Sequence, residues 1–244
     1  MAIHPFRPSE RSLELGFLTP HNPFDRCAFS GTAFFAARAL AEVPGINLSI
    51  LGPHRPPRRL DRFWKRRTPE VEIDNIDTGG LDIVVGLVAT PLLNKLITRC
   101  PDLPVLHVTD ATPAFLRDVY GWRVAPEAVN METRVAARAA CVIFSSDRLA
   151  ARAPADLGLP GLTANAVPFG ANLEHLPTAR PEKPPLSRLN LLFVGVDWER
   201  KGGDVAVATL DRLTAMVQDA HLTIVGRCPD LHRQNPRITS VSYT

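Results

Sequence analysis

The chain has 244 residues, 45% of them hydrophobic and 22% charged, with a formal net charge of +3. That balance suits a soluble globular protein of one large or two small domains and excludes a global nucleic-acid footprint. Residues 1–11 lack the apolar centre of a signal peptide, no run is long enough to span a bilayer, and Cys27, Cys100, Cys141 and Cys228 are too far apart for a metal-type pair, so buried reduced thiols and a cytoplasmic location are expected.

Leu13 to Leu18 reads as a first strand. A long connection follows, Thr19 to Thr32, ending in F-S-G-T; then Ala36, Leu40 and Val43 mark a helix face that Pro44-Gly45 stops. Asn47 to Leu51 is a second strand, so the chain opens with a βαβ unit. A long connection after a first strand is more often functional than idle. Gly31 lets backbone approach a ligand closely, while Ser30 or Thr32 reads equally as an N-cap.

His54 to Arg67 gathers Arg55, Arg58, Arg59, Arg62, Lys65, Arg66 and Arg67 against Asp61 alone, with Phe63 and Trp64 among them. A single charge run is most simply a solvated loop or helix face. The aromatic pair keeps open a patch that makes peripheral contact with anionic membrane, or with a phosphate-bearing acceptor. Nucleic acid, a further occupant of such patches, is not expected as a partner given the overall charge.

Leu81 to Gly86 reads as a strand, Pro91 to Ile97 as a helix, and Val105 to Val108 as a further strand followed by T-D-A-T-P. His107, Thr109, Asp110 and Thr112 thereby gather at the carboxyl end of a strand, where open α/β sheets hold their ligands. Alternatively His107 is a buried, hydrogen-bonded histidine and Asp110 caps the next helix. Pro126 to Ala140 reads as a helix, Cys141 to Phe144 as a strand, and Ser145-Ser146-Asp147 as a helix cap. Val167 to Asn172, V-P-F-G-A-N, is a tight turn.

Pro177, Pro181, Pro184 and Pro185 with mixed charges give a linker composition. It divides a first domain, residues 1–180, from a linker, 181–188, and a second domain, 189–244. The second domain opens with N-L-L-F-V-G-V-D-W-E-R-K-G-G, residues 190–203. Leu191 to Val194 suits a strand buried in a parallel sheet, and Asp197 to Gly203 reads as a polar, glycine-rich loop. Ala206, Leu210, Leu213 and Val217 recur at helical spacing, Leu222 to Val225 is another strand, and Ile238 to Tyr243 begins one more. Arg200 and Lys201 stand just before the helix, where its N-terminus adds its own pull on an anion.

F-V-G-V-D-W-E-R-K-G-G resembles the first donor-binding loop of family-four glycosyltransferases, which have the two-domain GT-B fold. P-F-G-A-N resembles the turn that closes the first domain of that family. The resemblance implies an α/β architecture, a Rossmann-like N-terminal domain followed by a second Rossmann-like domain that stops early. It implies transfer of a sugar from a nucleotide-sugar donor to an acceptor hydroxyl with retained configuration. The nucleotide-sugar is then a substrate, and neither cofactor nor metal is expected. Gly195, Arg200, Lys201 and Gly202 would bind the donor phosphates, His107 and Asp110 would orient the sugar or acceptor as catalytic residues, and Ser30, Gly31, Thr32, Gly170 and Asn172 would border the substrates.

Two departures stand out. Many relatives carry arginine where this chain has Val196, a charge that Arg200 is placed to replace, and the family's later segment with paired glutamates does not occur before Thr244. Weak turnover and dimerisation through the incomplete domain are therefore expected. A non-catalytic sugar- or partner-binding half and a GT-B-related nucleotide-sugar epimerase are the rival readings. A dinucleotide dehydrogenase fits poorly, since no G-x-G-x-x-G follows the first strand.

Overall fold

The computed structural model describes residues 11–55, 71–175, 177–179, 189–216, 219–230 and 234–242. Residues 56–67 of the basic stretch, the linker 181–188, Val217 and Tyr243 lie outside these. The chain forms two compact units, Met1–His175 and Leu176–Thr244. Among the described residues no helix is long and apolar enough to cross a membrane.

Unit 1 runs β1 (Leu13–Leu18), α1 (Thr32–Ala41), β2 (Ile46–Leu51), β3 (Ile83–Leu87), α2 (Thr90–Arg99), β4 (Val105–Thr109), α3 (Pro113–Tyr120), α4 (Pro126–Arg138), β5 (Cys141–Phe144), α5 (Asp147–Asp156) and β6 (Ala164–Ala166). All pairings are parallel and the order is β2-β1-β3-β4-β5-β6. Both faces are covered, because alternate residues of the central strands feed two apolar layers. Leu18, Val84 and Val105 meet Leu93 and Leu96 of α2 and Val135 of α4 on one face. Leu15, Phe17, Val85 and Leu87 meet Ala33 and Ala37 of α1 on the other. Gly86 is small for a reason: a Cβ there would stand 2.5 Å from Leu93, so α2 lies directly on β3. Burial of this kind on two faces explains the near-continuous apolar strands of the sequence.

Two unit 1 elements escape the sequence reading. β6 is three residues without an apolar run, held by pairing Ala164 with Val142 of β5. α3 is a short helix whose N-cap is Thr112, its hydroxyl accepting from Phe115 N–H at 3.1 Å. Asp110 is thus not the cap. Ser146 does cap α5, accepting from Leu149 N–H at 3.4 Å.

Unit 2 runs β7 (Leu189–Gly195), α6 (Trp198–Lys201), α7 (Gly203–Met216), β8 (Ala220–Gly226) and β9 (Ile238–Val241), with β7-β8-β9 parallel. Phe193, Leu222, Ile224 and Ile238 pack with Trp198, Val207 and Leu210. On the opposite face Leu192 and Val194 stay 67% and 50% exposed. All four cysteines are free. Only Cys228 is fully buried; Cys27, expected inside, is exposed on the loop after β1.

Candidate functional site

The strand order of unit 1 reverses direction between β1 and β3. In open α/β sheets this switch point opens a crevice beyond the carboxyl ends of the strands. The connections that leave there are residues 19–31 after β1 and 88–90 after β3, and both are strained. Phe29 and Ser30 have φ of 49° and 55°, and Val88 has φ 48°. Each such residue costs on the order of 1–3 kcal/mol, a strain that collects at functional sites. Gly31 follows at φ 80°, and a Cβ on it would meet the Arg26 carbonyl at 3.1 Å and the Phe35 ring at 3.3 Å, so only glycine fits.

The two resemblance-derived segments of unit 1 meet. Asn172 Nδ2 donates to the Ser30 carbonyl at 3.0 Å and to the Thr32 hydroxyl at 3.3 Å. Arg26 pairs with Glu174 beside them. Neither Ser30 nor Thr32 caps α1: the N-cap position is Gly31, without a side-chain bond. Gly170 is exposed on the same turn.

Three titratable groups that spacing alone did not bring together surround the rim. His21 stacks on Phe29, ring centroids 4.3 Å apart. Its pKa lies below the usual imidazole value, chiefly through burial; Asp110 works against that and His54 with it. His54 bonds the Thr19 carbonyl through Nε2 at 3.0 Å, and burial lowers its pKa also. Asp110 keeps part of its surface open, yet the protein packed around its carboxyl pushes it above the usual range. Its own backbone N–H opposes that shift, Glu132 adds to it, and His21 opposes it.

His107 is wholly buried. Its Nε2–H donates to Glu132 Oε1 at 2.7 Å, and the Thr90 hydroxyl donates to Glu132 Oε2 at 2.6 Å. His107, expected either to orient the sugar or acceptor or to be a buried, hydrogen-bonded histidine, has no exposed ring surface and spends its Nε2 on Glu132. Asp110 is the group of that pair that faces outward. Nothing in the sequence marked Glu132, which looks like one acidic residue among several on a helix.

In unit 2 the loop after β7 is not a simple loop. Asp197 turns it into a one-turn helix, α6, by accepting from Arg200 N–H at 3.3 Å. The same carboxylate pairs with Arg200 Nε at 2.9 Å, and that bond holds Asp197 below its usual pKa. Arg200 is thus paired with Asp197 in this structure. Lys201 differs. Its stem lies over the end of β7, where a Cβ on Gly195 would come within 3.2 Å of it, and no ion pair holds it among the described residues. Gly202, at φ 78°, turns the chain into α7. Gly203 leaves room for the Trp198 ring, which a Cβ there would overlap, and Trp198 Nε1–H donates to Asp204 at 2.8 Å.

A cavity of about 610 Å³ lies at the β2 edge, lined by Leu51, Gly52, Glu72 and Asp77 among others; it holds none of these groups. Among the described residues no cluster of three or more His, Cys, Asp or Glu side chains is placed to hold a metal ion.

No family model and no curated protein matches the sequence. Solved structures do. Sucrose-phosphate synthase from Thermosynechococcus elongatus is similar at a TM-score of 0.61 and 15% identity, over 96% of this chain and 71% of that one. A transferase from Siraitia grosvenorii solved in complex with UDP gives 0.49 and 12%, over 96% and 72%. The glycosyltransferase SnogD from Streptomyces nogalater gives 0.41 and 15%, over 96% and 72%. The first carries the fold comparison: the chain has an α/β, GT-B-like architecture of Rossmann-like units.

Proposed function

We propose that this protein transfers a sugar from a nucleotide-sugar donor to an acceptor hydroxyl, with unit 2 binding the donor diphosphate and unit 1 the acceptor. The observation that carries the reading is Lys201, an exposed cation laid over the carboxyl end of β7 at the start of α7. A diphosphate leaving group gains negative charge as the glycosidic bond breaks, and a fixed cation at that point favours the transition state over the ground state. Arg200 contributes less, since Asp197 offsets its charge. The GT-B-like fold and the likeness to a sucrose-phosphate synthase support the assignment of reaction class. Membership of family four, and retention with it, rest on the F-V-G-V-D-W-E-R-K-G-G and P-F-G-A-N motifs.

One observation favours a second stereochemical course. His21 has its pKa lowered and sits in the field of Asp110. A neutral imidazole held on the Phe29 ring at this rim is suited to take a proton from an attacking hydroxyl, which leads to inversion. The anomeric configuration of the first-formed product, read by NMR, separates the two courses.

The test of the main reading is calorimetric titration with UDP, GDP and ADP. One of them should bind, and Lys201→Ala should weaken that binding at least tenfold and slow transfer on the order of a hundredfold. Absence of binding by all three, or equal binding by the variant, would remove the assignment of this loop to the donor.

A further inference from the structure

Glu132 lies on α4, outside every motif, yet it joins two of the loops at the unit 1 rim. Its side chain is 7% exposed and the His107 ring 0%. One carboxylate oxygen accepts from the hydroxyl of Thr90, the first residue of α2, two residues after the strained Val88. The other accepts from His107, two residues before the end of β4 and three before Asp110. A carboxylate removed from water is tolerable only when its oxygens are met by donors. Here one donor opens α2 beside the strained Val88 and the other stands in the strand that leads to Asp110, and the ring that supplies the second has its other nitrogen, Nδ1, buried without a partner among the described residues. Ordinary core packing would fill this place with an apolar side chain at lower cost.

We propose that Glu132 is the positioning residue of the unit 1 site: through Thr90 and His107 its buried carboxylate locks the connection after β3 to the end of β4 and so fixes where Asp110 stands. The proposal rests on the reading that this rim meets the acceptor. Glu132 touches no substrate and acts through the two loops. Its charge also reaches Asp110, adding to the upward shift that burial causes. The other charges acting on Asp110 come from His21 in the loop after β1, itself influenced by His54 after β2.

The test needs neither sugar nor nucleotide, so it can fail independently of the transferase reading. The Asp110 carboxyl carbon, assigned by its loss in Asp110→Asn, is titrated by NMR in the full chain, and backbone amides are followed alongside. Glu132→Gln keeps the shape and removes the charge; the Asp110 midpoint should fall, and amides 88–90 and 109–112 should shift together. Thr90→Val keeps the branched shape and removes the hydroxyl; amides 109–112 should still move, although they lie at and beyond the end of the next strand, and Thr90→Ser should restore them. An unchanged Asp110 midpoint in Glu132→Gln, or perturbation confined to residues near 90 in Thr90→Val, would overturn the proposal. If Glu132→Gln does not fold, the Thr90 pair alone decides.

Discussion

Both units follow a strand with a loop and a helix, but the titratable groups at their strand ends differ, and so does the cover of their sheets. The rim of unit 1 carries two imidazoles with lowered pKa and a carboxyl with a raised one. In unit 2 the loop carries Arg200 and Lys201, one offset by Asp197 and the other held by no ion pair among the described residues. Groups shifted toward their neutral forms suit hydroxyls and a cation suits a phosphate, which is the division between acceptor and donor that the proposed function assigns to the two units. Packing differs in parallel. Unit 1 has apolar layers on both faces of its sheet, whereas unit 2, among the described residues, has a single cluster and leaves Leu192 and Val194 in the open.

The contrast in packing is sharpest if one core aromatic is removed from each unit. Phe17→Ala and Trp198→Ala each delete a buried ring, 1% and 7% exposed, at a cost of roughly 3–5 kcal/mol. In unit 1 that is one contribution among two layers. In unit 2 it falls on the single cluster, so the amides of β7 and β8 should lose most of their protection from hydrogen exchange, while those of β1 to β3 in Phe17→Ala keep much of theirs. Comparable residual protection in both variants would break the distinction.

Acid should act mainly on unit 1. His21 and His54 have folded pKa values below the ordinary imidazole value of 6.5, so the unfolded chain binds more protons than the native one in that window. Stability is then fully present above pH 6.5 and is lost as pH falls through the lowered values. Asp110, raised above 3.8, has the opposite slope: its contribution is lost as pH rises through its folded value. Urea unfolding at pH 7 and pH 5 should show the loss for the wild type, and His54→Gln should reduce it. A loss of the same size in His54→Gln would clear His54 of the effect.

Asp197→Asn tests the charge contrast from the unit 2 side. Asparagine still caps α6, but the ion pair with Arg200 is gone. Nucleotide affinity should rise roughly twofold to fivefold, the range expected for one exposed charge. A fall in affinity would mean that Asp197, rather than Lys201, organises the loop.

The elements were legible where apolar runs had a single cause. β1, β5 and the strands of unit 2 follow from burial and appear in the sequence within a residue or two. β6 was not legible, because its place is set by pairing with β5 rather than by its own three residues. α6 was hidden because a capping aspartate and two glycines look the same in a loop and around a single helical turn. At the site, Gly31 and Asn172 were visible through motifs, and in the structure Asn172 bonds the residues on either side of Gly31. His21, His54 and Glu132 were not visible. Their significance lies in who faces them across 25 residues or more of chain, and no local spacing encodes that.

The smallest expected effect concerns the open face of unit 2. Leu192 pairs in register with Thr223 of β8, and Val194 with Val225. Replacing both by threonine keeps one β-branched residue and introduces another, so strand preference is retained. As long as that face meets only water, the stability of unit 2 should change by less than about 0.5 kcal/mol per position, as for other surface substitutions. Apolar residues this exposed also favour association, so the wild type should self-associate at high concentration in sedimentation experiments and the double variant should do so less. A monodisperse wild-type monomer that binds no hydrophobic dye would show that the face is not an association surface. A loss of several kcal/mol in the double variant would show instead that another part of the chain covers it, and the contrast between a two-layered and a one-layered sheet would no longer hold.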